Sequence, residues 1–455
     1  MKKRDIIILG SGFRGLAAAF FLSSKGINVT VLEKGHQFGG VLSGIMWEGF
    51  YLDYGCHLFD NNRKDITDFY LEMVEDDDFF VSIPVQYSSV LNERATPGLA
   101  IPDLSLLPKP LISQALLELL EIAALNFPKS SQNTLYKALV NRFGDTTSQL
   151  LASSIEKVYR NSSKDLCQSA LNQGLFKRVK LLPDDVGNLL KTFPTLDERI
   201  AVKSDNNLHS PYPDSSPKFG RNFYPAKYGM SGFVRRAIDV LKNRGVSFFS
   251  NTGDMKFDFR DKDISVKCRN IGDFICDNIV STLSPSDTET QILGSRRLSD
   301  KIYPVPMTLL YFKVDLHEVS SVTYSHNFDL SSVAFRISNV GGYGNQCDNE
   351  GNTYVCVECP TGSREAVWEN PSSKVNEIWE AVISSGAVKA GAIYNDFHIL
   401  QTPRSYSVPL RGYEALEHET FDLLSAHYPR LVNLSSLSFS KNEIVADVVS
   451  KLDNL

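Results

Sequence analysis

The first forty residues constrain the fold more than any other part of the chain. Ile6-Ile7-Ile8-Leu9 is a short, wholly apolar run ending at glycine, the pattern of a strand buried on both faces in a parallel sheet. Gly10-Ser11-Gly12-Phe13-Arg14-Gly15 follows, and residues 16–24, rich in Ala, Leu and Phe, predict a helix packed on that sheet. Gly26 ends the helix, Val29-Thr30-Val31-Leu32 makes a second strand, and Glu33 closes it 18 positions after Gly15. Each piece has a physical task. The glycines permit a tight turn, let backbone amides approach a diphosphate, and allow close helix–strand packing. The unpaired N–H groups and positive dipole end of the helix attract phosphate. A carboxylate at the end of the second strand can accept hydrogen bonds from a ribose. Strand, glycines, helix, strand and acid in one register predict an α/β, Rossmann-like, dinucleotide-binding fold.

At 455 residues the chain is about three times a typical domain of roughly 150, so more than one folding unit is expected. With 42% hydrophobic and 22% charged residues it is neither disordered nor fibrous. Lys and Arg number 47 against 53 Asp and Glu, a net charge of −6 that gives no global attraction to nucleic acid. Seven cysteines make no dense disulfide framework, and a reducing cytoplasm suits them best. No run of 18 apolar residues predicts a membrane span. The basic start, Lys2-Lys3-Arg4, is interrupted by Asp5 and the glycines, so it is read as part of the fold and not as a signal peptide.

The continuation Glu33-Lys34-Gly35-His36-Gln37-Phe38-Gly39-Gly40 resembles the second glycine motif of the glutathione-reductase-type FAD superfamily. Within it, the resemblance is to the branch of amine oxidases, protoporphyrinogen oxidases and UDP-galactopyranose mutases. That branch often has arginine after the glycine pair, where this chain has Val41 and then Leu42. Gly49-Phe50-Tyr51-Leu52-Asp53-Tyr54-Gly55-Cys56-His57-Leu58-Phe59 resembles the same branch's Asp-x-Gly-x-His-x-Phe loop, and residues 61–69 look like its mutase version. The resemblance implies FAD as cofactor, contacted by Gly10, Gly12, Phe13, Arg14, Gly15, Glu33, Lys34, Gly39, Gly40, Val41, Leu42, Gly55, Cys56 and His57. It also implies that the 53–59 loop passes beside the isoalloxazine ring, where His57 would orient substrate or respond to flavin redox state. The plainer reading of His57 is a structural histidine bonded to nearby carbonyls.

Residues 110–127 carry leucines at helical spacing with Gln114, Glu118 and Glu121 interspersed, which predicts an amphipathic helix stopped before Pro128. Comparable inserts in protoporphyrinogen oxidases meet membranes. Here Glu118 and Glu121 lie near the apolar stripe, so a cap or core helix is the expected role and membrane-surface contact is not. Residues 144–175 read as a further helical pair containing Lys157-Val158-Tyr159, which resembles a family segment. The polar stretch 204–221 reads equally as a mobile lid or as a linker. Residues 224–233 lead into a helix through Leu241, and the strands 246–249 and 277–282 resemble the return of the chain to the cofactor domain.

From about 304 to 398 the pattern is β-rich, with strands expected at 308–314 and 353–358. Cys356-Val357-Glu358-Cys359 suggests zinc, but no second pair completes four ligands and no metal is expected. Ser332-Val333-Ala334-Phe335-Arg336-Ile337 resembles the mutase segment whose arginine meets the substrate diphosphate, and residues 403–409, with Tyr406, resemble the region of its phosphate-contacting tyrosines. Without that resemblance, Arg336 reads as a surface arginine on a strand. The resemblance is weakest at the C-terminus. Where the family has a Gly-Arg pair near the pyrophosphate, this chain has Leu434-Ser435, although a terminal helix over 444–452 is still expected.

These readings predict a discontinuous FAD-binding domain from residues 1–95, 215–290 and 400–455, a helical insert over 96–214, and a mixed β-sheet substrate or cap domain over 291–399. The expected function is that of an FAD-dependent oxidoreductase taking hydride from a small substrate, anionic if Arg336 anchors it, with His57, Arg336 and Tyr406 as the catalytic candidates. The first alternative is a mutase-like isomerase acting on a nucleotide sugar. Against it, Trp47, Trp368 and Trp379 are the only tryptophans and none forms a mutase-type Trp-Thr motif. The second alternative is a non-catalytic FAD-fold scaffold.

Overall fold

The computed structural model describes residues 4–84, 86–125, 134–173, 175–203, 212–344, 346–362 and 364–455. Lys2, Lys3, the last two residues of the 110–127 segment and residues 204–211 of the polar stretch lie outside the described residues. The chain divides into two compact units: Met1–Ile83 with Pro211–Asp300 and Ala415–Leu455, and Pro84–Ser210 with Lys301–Glu414.

The first unit is built on a five-stranded parallel sheet. Its order is Ser247–Phe249, β2 (Asn28–Leu32), β1 (Asp5–Leu9), Asn278–Ser281 and Leu431–Asn433. Ile6 to Leu9 are all buried, as a central strand covered on both faces requires. The helix α1 (Phe13–Ser24) joins β1 to β2 and packs against Gly229–Asn243 and the C-terminal helix Lys441–Leu452. A smaller antiparallel sheet, Met255–Phe259, Ile264–Cys268 and Gly272–Cys276, contributes Ile264 and Val266 to a core shared with Ile7, Leu9 and Ile279. Phe13, Phe59, Tyr70, Phe80, Phe223 and Phe233 form an aromatic cluster, with Phe59 stacked on Phe223 at 5.4 Å.

The polar stretch is anchored where it is described. Asn61 is fully buried and donates through Nδ2 to the carbonyls of Ser216, Phe219 and Gly220 at 2.9–3.0 Å. One buried amide thus holds residues 216–220 in place.

The second unit carries a seven-stranded sheet. The long strand Ile302–Asp315 lies between Asn352–Pro360 and Tyr394–Pro409, antiparallel to both. Arg336–Ser338, Tyr324–Asn327, Tyr87–Leu91 and Arg94–Pro97 continue the sheet beyond Asn352–Pro360. Residues 84–95 and 400–414, expected in the cofactor domain, therefore belong with this sheet, because their strands pair with its members. The helical segment and the β-rich segment were expected as separate domains. They share one core, in which Leu119, Leu139, Leu151 and Ile155 pack with Val305, Phe328, Phe335 and Val408. The described residues of 144–175 hold one α-helix, Asp145–Tyr159, and a 3₁₀ turn, Gln168–Gln173; the helical partner precedes it as Leu135–Phe143. The β-rich segment also contains a helix, Val375–Ser384, which buries Ile378, Trp379 and Val382 against the sheet.

Candidate functional site

The turn after β1 is shaped by its glycines. Gly10 has φ +95°, a conformation that favours glycine, and its amide donates to the Leu32 carbonyl at 2.8 Å. A Cβ on Gly15 would lie 2.0 Å from the Gly10 carbonyl oxygen, so the third glycine of the motif is demanded by helix–strand packing. A Cβ on Gly12 would meet nothing within 4 Å. Gly12 is also the N-cap of α1, which has no side-chain cap and no acidic residue in its first turn. The first-turn amides, which have no partner inside a helix, stand at the positive end of the helix dipole, next to the open Cβ direction of Gly12.

Gly39 and Gly40 close the turn from the other side. The Gly39 amide donates to the Ser11 carbonyl at 3.1 Å, and Gly12 and Gly39 form an isolated parallel bridge. Gly39 has φ +104°, and a Cβ there would strike both methyls of Val234 at 2.7 Å. Of the residues that follow, Leu42 is buried and Val41 is exposed. Glu33 bridges the two segments. Its Oε2 accepts from the Ser11 amide at 2.9 Å and the Ser11 hydroxyl at 2.7 Å, while Oε1 accepts from the Gly35 amide at 2.8 Å. The carboxylate expected to meet a ribose therefore also ties the glycine turn to the end of β2. Lys34 is exposed and pairs with Asp254 at 3.0 Å. Phe13 is buried in the aromatic cluster and acts as a packing residue.

The 53–59 loop belongs to the same unit. Gly55 has φ +95° and donates to the Asp53 carbonyl at 2.8 Å, and Cys56 and His57 are half-buried. Asp53 was not among the predicted site residues, yet its environment is the more unusual. It is buried, accepts from the Met230 amide at 2.9 Å at the start of helix Gly229–Asn243, and accepts from the Tyr224 hydroxyl. Burial pushes its carboxyl up to about 7, against the lowering effect of these hydrogen bonds and the Lys441 charge. The motif quoted for the loop contains this aspartate, and that was the signal available in the sequence.

At the far edge of the sheet, Leu434 and Ser435 occupy the positions where the resemblance places Gly-Arg. Leu434 is buried and its amide donates to the Ser281 carbonyl at 2.9 Å. The Ser435 hydroxyl bonds Thr288 at 2.6 Å, which in turn bonds Ser281 at 2.8 Å. This pair is integrated into the end of the sheet.

Arg336 and Tyr406 lie in the second unit. Arg336 makes a two-pronged ion pair with Glu358, Nε to Oε1 at 2.5 Å and Nη2 to Oε2 at 2.7 Å. The pairing follows from register, since the two residues stand opposite each other on adjacent strands. The expected anion anchor thus already has its charge met by a buried carboxylate. The Tyr406 hydroxyl donates to the Val158 carbonyl. Burial, then the charges of Tyr159 and Glu358, raise its pKa, so it stays a neutral donor. Lys157, which the sequence marked only through its segment, is buried; its Nζ donates to the Asp329 carbonyl at 2.6 Å, and burial lowers its pKa to about 7. Cys359, from the CxxC run, is buried near Lys157, and burial raises its thiol pKa. Among the described residues no group of His, Cys, Asp and Glu is arranged to hold a metal ion. No helix of the described residues is long and apolar enough to cross a membrane.

The uncapped first turn of α1 and the open direction at Gly12 fit the diphosphate of a dinucleotide. Residues 8–73 match the family described as NAD(P)-binding Rossmann-like domain. Over 54 residues the chain is 42% identical to protoporphyrinogen oxidase 2, chloroplastic/mitochondrial, of Arabidopsis thaliana; the match covers 12% of this chain and 11% of that one. Over 347 residues it is 24% identical to 4,4'-diapophytoene desaturase of Staphylococcus aureus, covering 71% of this chain and 65% of the desaturase. The chain thus spans less than two thirds of the length of either relative. Its fold is similar to that of reduced UDP-galactopyranose mutase, with a TM-score of 0.72, 14% identity, and coverage of 100% of this chain and 95% of that structure. Residues 8–73 are thus similar to NAD(P)-binding Rossmann-like domains, and the whole chain has a fold similar to those of solved UDP-galactopyranose mutase, putrescine oxidase and cyclohexylamine oxidase.

Proposed function

We propose that the first unit binds FAD and that the protein is an FAD-dependent oxidoreductase taking a hydride equivalent from a small substrate. The carrying observation is the turn itself: an uncapped, acid-free helix start behind Gly12, with Glu33 held beside it through Ser11. The helix start suits a diphosphate. A carboxylate at the end of β2 suits ribose hydroxyls and repels a 2′-phosphate, which speaks against NADP. The glycine pair at Gly39 and Gly40, and the loop carrying Gly55, Cys56 and His57, support FAD over NAD through the family resemblance.

FAD would supply the electron sink of the reaction, and the protein would bind, orient and shield. In this reading the amides of the α1 first turn hold the diphosphate, Glu33 holds the ribose, and His57 orients the substrate. The relatives add support. The Staphylococcus aureus protein is by name a desaturase and the Arabidopsis thaliana protein an oxidase, and both names denote oxidation of a substrate.

A second reading, a mutase-like isomerase, is favoured by the fold similarity over the whole chain. There Arg336 and Tyr406 would grip a nucleotide-sugar diphosphate, and Arg336 would have to share itself with or leave Glu358. The deciding experiment begins with the visible spectrum of the purified protein, followed by release and identification of flavin. Near-stoichiometric FAD supports both enzyme readings. A colourless protein that fails to take up added FAD sinks both and leaves a scaffold. Substrate that bleaches the flavin stoichiometrically without oxygen selects the oxidoreductase, whereas turnover with no net electron transfer selects the isomerase.

A further inference from the structure

We propose that Arg14 is a cofactor-binding residue, supplying the guanidinium that meets the diphosphate at the start of α1. The proposal rests on the reading of that turn as a dinucleotide site. Arg14 stands in the first turn of α1, where the helix dipole is positive and a cation is disfavoured unless an anion is near. Its side chain is nine-tenths buried, and its Nε is enclosed without a hydrogen-bond partner. The protein contact its guanidinium makes is a long one, from Nη1 to the Ser436 carbonyl at 3.3 Å. Asp447 attracts it, but the two form no ion pair within 4 Å among the described residues, and burial outweighs that attraction in lowering the arginine pKa.

A buried guanidinium kept this short of partners is costly, and an anion at the turn would repay the cost. Helical side chains lean towards the N-terminus of their helix, which for Arg14 is the direction of the glycine turn that precedes it. Its contact with Ser436 sets it next to the loop that leaves the last strand of the sheet. Residues 10–15, 33–42 and 434–440 contain no other arginine. Lys34 is committed to Asp254. Val41 and Ser435 stand where the family resemblance would put arginines, so the diphosphate's positive partner has moved from those segments to α1.

The test compares ADP with adenosine, and FAD separately, on protein freed of flavin, using calorimetry for the nucleotides and flavin fluorescence for FAD. Wild type should bind ADP well above adenosine. Arg14→Met should weaken ADP and FAD by about ten- to hundredfold, the range of charge-assisted hydrogen bonds, and leave adenosine unchanged. Arg14→Lys should recover part of the loss, since a point charge replaces a planar fork. Unchanged ADP and FAD affinity in Arg14→Met overturns the proposal and leaves Arg14 a contact between α1 and the C-terminal helix. If Arg14→Met does not fold, Arg14→Gln decides: loss of the ADP preference supports the proposal, and its retention overturns it. Wild type that binds neither FAD nor ADP overturns the dinucleotide reading together with this one.

Discussion

The glycine turn of the first unit and the charged cluster of the second are built on opposite principles. In the turn, the arrangement resides in the backbone: Gly10, Gly12, Gly15, Gly39 and Gly40 set the path of the chain and how closely segments pass. In the second unit it would reside in side chains. Lys157, Arg336, Glu358 and Tyr406 come from distant segments, and each makes a hydrogen bond to a protein partner. A backbone site tolerates no side chain at a few positions and almost any at others. A side-chain site depends on pairs, so removing one member leaves the other desolvated.

The sharpest way to break the comparison is Gly15→Ala. The added methyl would overlap the Gly10 carbonyl, a backbone atom that cannot swing aside. A loss of about 3 kcal/mol or more is expected, read by chemical denaturation. A variant within 1 kcal/mol of wild type would show that α1 can move off the sheet and that the turn is not rigid.

Next in size is Asp53→Asn. The folded carboxyl titrates at about 7 instead of 3.8, so the folded state keeps a proton that the unfolded chain gives up above about pH 4. The stability this group contributes is therefore full below pH 4 and is lost as pH rises towards 7. At about 1.4 kcal/mol per pKa unit the loss has a ceiling of roughly 4 kcal/mol. The charges and dipoles facing Asp53 include those of Lys441, Tyr224 and the Met230 amide. Asparagine cannot ionise, so the variant should gain on wild type as pH is raised from 4.5 to 7.5. Parallel denaturation midpoints across that range would show that Asp53 has an ordinary pKa.

These two positions also show what could be read from the sequence. Gly15 was legible because a contiguous motif encodes it and the physics is local. The expected strands at 6–9 and 29–32 lie within β1 and β2 for the same reason, since apolar runs between glycines have few other uses. The environment of Asp53 was not legible: its partners Tyr224 and Met230 lie about 170 residues further on, and only the folded chain brings them together. The partner of Arg336 was hidden in a related way. The arginine's anion-binding chemistry was visible, but Glu358, which neutralises it, is opposite only through strand register. The shared core of the helical and β-rich segments likewise depended on which faces meet, and periodicity cannot report that.

In the second unit, Glu358→Gln should cost about 1–2 kcal/mol. This is below the 3–5 kcal/mol typical of a fully buried pair, because Arg336 keeps partial access to water. His326 sits beside Arg336, and burial followed by that positive charge holds its pKa down at about 3, so the neutral imidazole cannot compensate. A double variant with Arg336→Met should recover most of the loss, and a double-mutant cycle measures the coupling. Additive losses would mean that the pair is a surface contact and that Arg336 remains available to an anionic substrate.

The smallest expected change in stability belongs to Gly12→Ala, and it separates the two uses of glycine within one motif. Gly12 has φ −61°, which alanine adopts freely, and its added methyl would project into open space. Stability should stay within about 0.5 kcal/mol of wild type. FAD affinity should nevertheless fall at least about tenfold, because the methyl would stand where the diphosphate must approach the first-turn amides. Gly15→Ala would then lose the fold and Gly12→Ala the ligand, though the two glycines are three residues apart. Undiminished FAD uptake by Gly12→Ala would mean that the diphosphate does not lie against this turn.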